Sequence, residues 1–181
     1  MTDRELLERF KPVLFMDSKE RVFPTSVDDG RPDVIYARVV TDEGGTWAQY
    51  IVYYREDWSP LPWRKGHEHN IEMMQFLVQG EVVILAAYAQ HSSGERQNLT
   101  DVKDPMAFVA RGKHAPYFEP GRYRTGLVDC DLADGMGRRV DAVLEDPPAD
   151  GWAGRSFGAV IAPGRRTWWR RPSTWARDLK H

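Results

Sequence analysis

Glu72-Met73-Met74-Gln75-Phe76-Leu77-Val78-Gln79-Gly80-Glu81-Val82-Val83-Ile84-Leu85-Ala86-Ala87-Tyr88-Ala89 decides how this 181-residue chain folds. Two runs of aliphatic and aromatic residues, Glu72 to Val78 and Val82 to Ala89, flank a short polar connection containing Gly80. Runs of that length and composition fit a pleated surface, and Gln79-Gly80 between them predicts a tight hairpin that sets the two strands antiparallel.

Outward from this hairpin the same signal repeats. Val34 to Val40, Trp47 to Tyr54 and Met106 to Arg111 read as further strands, separated by Gly, Pro, Asp or Asn. At the start, Thr2-Asp3-Arg4-Glu5 has the form of a capping box, and Leu6, Leu7 and Phe10 give a short amphipathic helix that Pro12 closes. Leu127 to Leu132 and Arg138 to Leu144 are expected strands, Asp146 to Gly151 a loop, and Ser173 to Lys180 a closing helical turn or two behind Pro172. No internal repeat is present. The expected fold is mainly β: one domain over residues 1–181, a β-sandwich or part-closed barrel with a few peripheral short helices.

Composition narrows the partners. A formal net charge of -2 gives no general attraction to nucleic acid or to an anionic membrane. The longest strongly apolar run, Val82 to Ala89, is far short of the ~20 residues a spanning helix needs, so no stable membrane insertion is expected. Cys130 is alone and the opening residues lack the apolar stretch of a secretory signal, which fits a cytoplasmic protein. There is no Gly-rich phosphate loop and no serine nucleophile elbow. A small-molecule substrate or ligand is the expected partner, with the oligomeric state open.

Four of the five histidines, His67, His69, His91 and His114, fall between positions 67 and 114, and the first two lie in Gly66-His67-Glu68-His69-Asn70-Ile71-Glu72. If that segment is extended, its period of two sends His67 and His69 to one face and Glu68, Asn70 and Glu72 to the other. If it turns at Asn70, His69 and Glu72 converge instead with a ligand from elsewhere, such as Asp57. A divalent metal held by Asp57, His67, His69 and Glu72 is therefore one expectation: zinc, iron or manganese if the set is histidine-rich, magnesium or calcium if it is carboxylate-rich. The plainer alternative is that His67 and His69 hydrogen-bond at a sheet edge.

His91 and His114 each leave a strand for a loop, where a sheet scaffold presents polar groups into a cleft. With Glu72 they are candidates for proton transfer; singly, each can instead pin its own loop. From Gly164 to His181, arginines are mixed with Trp168, Trp169 and Trp175, a combination that could stack on bases or lie at a membrane surface but is rather expected to pack over the sandwich with its charged heads in water. Asp101 to Asp104 and Asp129 to Asp134 are expected to be solvated turns.

The order of motifs resembles the vacuolar-protein-sorting sixty-two-like family and, more distantly, the necrosis-inducing Nep1-like proteins. Phe10 to Pro24 looks like that family's opening, and His67 to Glu72 like its His-Glu-Gly-Asp-Trp-Glu segment. Tyr88 to Arg96 resembles Tyr-Ser-x-His-x-x-Gly-Glu-Arg, and Phe108 to Gly121 resembles Tyr-Val-Ala-Arg-Gly-Ser-His-Ala-x-Tyr-Phe-x-Pro-Gly. The Nep1-like likeness implies a β-sandwich with a divalent cation at the positions of Asp57, Asn70, His69 and Glu72. Asn70 departs from it, standing where the pattern has an aspartate, and Ile71 stands where it has a tryptophan.

Together these readings lead to a small-molecule enzyme whose cleft is lined by His67, His69, His91, His114 and Glu72. It would work with or without a divalent metal, on hydrolytic or acid-base chemistry such as elimination, cyclisation or isomerisation in specialised metabolism. The alternative is a non-catalytic module that binds a glycan or lipid head group.

Overall fold

The computed structural model describes residues 1–21, 34–58, 66–90, 93–125, 130–141, 143–147 and 172–179, with the backbone alone for residues 67–69, 93, 174, 175 and 178. A six-stranded sheet holds most of the chain. Its strands are β2 (Val34–Asp42), β3 (Gly45–Asp57), β4 (His67–Gln79), β5 (Val82–Gln90), β6 (Ser93–Val102) and β12 (Val143–Glu145), in the order β12-β2-β3-β4-β5-β6. A four-stranded sheet faces it, built from β1 (Val13–Met16), β7 (Met106–Val109), β8 (Pro116–Tyr117) and β11 (Arg139–Val140) in the order β11-β1-β7-β8. β9 (Gly121–Arg124) and β10 (Cys130–Ala133) form a separate antiparallel pair. The architecture is mainly β, a sandwich, with no closed barrel among the described residues.

The expected hairpin forms with Gln79 opposite Val82, and Gly80 takes φ +62, a left-handed conformation that its missing Cβ makes accessible. Along β4, Met74, Phe76 and Val78 alternate into the core, where they meet Tyr50 and Val52 of β3, Ala86 and Tyr88 of β5, and Leu14, Met16, Ala107 and Val109 of the facing sheet. Helix α1 (Asp3–Arg9) closes one side: Thr2 and Glu5 form the reciprocal capping box, while Leu6, Leu7 and Phe10 are buried. Tyr50 donates its hydroxyl to the Leu7 carbonyl at 2.9 Å, fixing the helix to the sheet. No helix among the described residues is long and apolar enough to cross a membrane.

The outer face of the six-stranded sheet carries a polar ladder. Arg38 Nε donates to Gln49, Gln49 to Gln75, and Gln75 to the Pro172 carbonyl, each at 3.0–3.1 Å. This leads to helix α2 (Pro172–Asp178), whose Ala176 packs with Trp47 and Ala87. Asp42 holds the start of α2 by accepting from the Ser173 N–H and hydroxyl at 3.0 and 2.7 Å. Burial pushes the Asp42 carboxyl up, but the bonds from Ser173, Gly44 and Trp47 outweigh it and hold the group below its ordinary value. A pKa depressed by folding contributes stability above the ordinary aspartate range, and that contribution is lost as pH falls through the lower folded value. Asp42→Ala is therefore expected to cost about 1–2 kcal/mol at neutral pH. It should also flatten the acid limb of the stability profile and speed amide hydrogen exchange at Ala176 and Arg177.

Ser93–Val102, where no strand is expected from the sequence, is a full strand at the edge of the sheet although its polar composition lacks an apolar alternation, and it takes in Asp101, expected in a solvated turn. Asp131, covered both by the expected strand Leu127 to Leu132 and by the expected solvated turn Asp129 to Asp134, follows the first: it is 1 % exposed on β10, while Asp134 beside it remains at the surface, bonded to Ser18. Residues 148–151 of the expected loop, and the arginine and tryptophan tail from 164 to 171, lie outside the described residues.

Candidate functional site

One end of the sandwich collects the chemistry. β3 ends there at Asp57, β4 starts at His67, β5 ends at Gln90, and β7 leads through residues 110–115 into β8. On β4, Asn70 and Glu72 are in phase with Met74, Phe76 and Val78, so the face that is apolar along the core becomes polar at this end. Both are nearly buried, at 7 % and 6 % exposure, which requires partners for their polar atoms.

Those partners come from a loop folded by its own backbone. Ala110 N–H donates to the Ala115 carbonyl, His114 N–H to the Ala110 carbonyl and Arg111 N–H to the Leu132 carbonyl. Gly112 at φ +78 and His114 at φ +60 both take left-handed conformations. For histidine that backbone is uncommon and costs free energy, so the packing around it must hold it there. The His114 ring is fully buried and lies on Tyr54 with ring centroids 3.9 Å apart and planes within 5°.

Asn70 is the hub. Its Nδ2 is 3.2 Å from Glu72 Oε1, 3.1 Å from the Lys113 carbonyl and 3.4 Å from His114 Nδ1. The two amide hydrogens can serve two of these neighbours at a time, and because an amide nitrogen is no acceptor, the contact with His114 is a hydrogen bond only with Nδ1 bare. The other ring nitrogen, Nε2, faces Glu20 Oε1 at 3.5 Å, too far for a good hydrogen bond. Glu20 in turn accepts from the Trp58 indole at 2.8 Å and from the Gly112 N–H at 2.7 Å, tying the end of β3 to the loop. Burial, with Glu72 and then Glu20 adding negative charge nearby, pushes the Tyr54 phenol well above its usual value, so it stays protonated.

Behind this layer the Lys113 ammonium lies 3.2 Å from Asp131 Oδ1 and 3.4 Å from the Thr125 hydroxyl. Tyr117 donates to Asp131 Oδ2 at 2.7 Å and stacks on Tyr123 at 3.6 Å. Burial and the Asp131 charge hold the Tyr117 phenol well up in pKa.

Of the residues singled out from sequence, Glu72 and His114 meet through Asn70. Residues 67–72 are extended, with His67 and His69 alternating with Asn70 and Glu72, and Asp57 is the cross-strand partner of His67. The side chains of His67 and His69, and the whole of His91, lie outside the described residues. Glu20, Tyr54, Lys113 and Asp131 carried no local signal of their role: each is an ordinary residue type whose burial is set by distant segments.

The cation implied by the Nep1-like resemblance would draw on Asp57, Asn70, His69 and Glu72, of which the side chain of His69 lies outside the described residues. Asn70, neutral where that pattern has a carboxylate, turns its Nδ2 rather than an oxygen toward Glu72 Oε1, the Lys113 carbonyl and His114 Nδ1. Among the described residues no three His, Cys, Asp or Glu side chains converge as a ligand group.

No protein-family model and no curated protein matches the chain. Solved structures do. NLPPya in complex with mannosamine is 18% identical, covering 65% of this chain and 66% of its own, with a TM-score of 0.51. NLPPya in complex with glucosamine is 15% identical over 78% of this chain and 72% of its own, again at 0.51. The non-toxic HaNLP3 protein is 16% identical over 80% and 75%, also at 0.51. The chain thus spans just under two thirds of the length of the first of these. Fold and site define a β-sandwich with a polar loop end. Its fold is that of the Nep1-like (NLP) proteins.

Proposed function

We propose that the protein is a binding module for a hydroxyl-rich head group, an amino sugar or a glycan bearing one, recognised at the loop end of the sandwich. The observation that carries this reading is the concentration of fixed polar groups around Asn70 and Glu72, on a face that is otherwise apolar. A protonated amino sugar offers an ammonium and several hydroxyl donors, and a carboxylate fixed at a rim is a strong acceptor for both. Glu72 and Asn70 keep 6 % and 7 % exposure, whereas His114 keeps none, so the first two are the ones nearer the surface. The sugar complexes of the NLP neighbours support the same reading. Kinship with the vacuolar-protein-sorting sixty-two-like family belongs to this proposal too, resting on residues 88–96 and 108–121.

Ligand-observed NMR with glucosamine and mannosamine tests it. Saturation transfer to at least one sugar is expected, with binding weakened about tenfold or more in Glu72→Gln, the loss of a charged hydrogen bond. A folded wild-type protein that transfers to neither sugar rules the reading out.

A further inference from the structure

Three acceptors converge on a single atom at the end of β4. Glu72 Oε1, the Lys113 carbonyl and His114 Nδ1 surround Asn70 Nδ2 at 3.1–3.4 Å, in a setting where Asn70, Glu72 and His114 are all buried. A carboxylate, a carbonyl and a bare imidazole nitrogen are also a donor set that a small divalent cation accepts. Here the convergent position is taken by an amide nitrogen, which brings hydrogens and no net charge.

We infer that the Asn70 amide does the work of a cation in this site, and that this one residue decides whether the site takes a divalent metal. An aspartate at position 70 would reverse the arrangement. It would have no N–H to offer, would turn a fourth group into an acceptor, and would set its charge beside Glu72. Two carboxylates at hydrogen-bond range repel each other unless a proton or a cation lies between them. Such a set of three oxygens and one nitrogen suits manganese well, since that ion takes both donor types. The inference concerns how the site is held together, so it is independent of which head group the site recognises.

The test uses Mn2+ alone as the probe. Calorimetric titration of the full chain is expected to show no tight site in the wild type. Asn70→Asp is expected to gain one Mn2+ site at least about tenfold tighter, with a matching metal-dependent rise in melting temperature. Adding Glu72→Gln to Asn70→Asp should abolish the gain, which places the ion at this position. Near-UV circular dichroism establishes that each variant is folded. Wild-type Mn2+ binding within about threefold of that of Asn70→Asp overturns the inference, as does a folded Asn70→Asp that gains no site.

Discussion

Asp131→Ala is expected to lower the unfolding free energy by about 3–5 kcal/mol, among the largest effects of any single substitution in this chain. The Asp131 side chain is fully buried and Lys113 is 4 % exposed, with the ammonium 3.2 Å from the carboxylate. Removing the carboxylate strips a buried positive charge of its partner, and it also removes the acceptor of the Tyr117 hydroxyl. The Coulombic gain of such a pair roughly offsets the desolvation of its two ions, so the damage comes from breaking it rather than from its net worth. Replacing both ends should therefore be much milder. Lys113→Met combined with Asp131→Leu is expected to recover most of the lost stability, because the pocket is then filled by apolar side chains of similar size. Urea unfolding of Asp131→Ala and of the double variant measures this. If Asp131→Ala costs less than about 1 kcal/mol, the pair is solvated in solution and the buried arrangement is wrong.

How much of this was legible in the sequence follows from the range of each cause. The hairpin was legible because its causes are local: apolar runs of strand length and a glycine at the turn. So was the capping box of α1, whose partners Thr2 and Glu5 are three residues apart. The strand Ser93–Val102 was not, since an edge strand facing water has no reason to show an apolar period. The polar end was legible in part. Glu72 and His114 attract notice as chemical types, but their meeting depends on Asn70, whose sequence context marks it only as a departure from a motif. Asp131 and Glu20 were opaque for a physical reason. Each lies in a charged, turn-like local sequence, and each is buried because a segment about ninety or fewer residues away wraps over it, bringing Lys113 to one and Gly112 to the other. Long-range closure of that kind leaves no periodic trace.

The same closure makes Gly112 a position where adding one methyl group should have a large effect. At φ +78 an alanine loses about 1 kcal/mol from its backbone conformation alone. A Cβ built there lies 2.2 Å from the Trp58 carbonyl oxygen and 3.2 Å from its ring, and backbone cannot swing aside as the end of a long side chain can. Relief requires the loop to part from β3, which breaks the 2.9 Å bond from Trp58 N–H to the Gly112 carbonyl and loosens the Gly112 N–H bond to Glu20. Gly112→Ala is therefore expected to cost about 3 kcal/mol or more. Because Lys113 and His114 follow directly on the loop, any head group bound beside Asn70 and Glu72 should be released along with it. Gly80 supplies the control. It too has a left-handed backbone, φ +62, but a Cβ there meets nothing within 4 Å, so Gly80→Ala isolates the conformational cost at about 1 kcal/mol. The difference between the two variants in urea unfolding, about 2 kcal/mol, measures the contact with Trp58 by itself. Equal costs at the two glycines would mean that the loop does not close on β3 and that Glu20, Trp58 and His114 are not held as a unit.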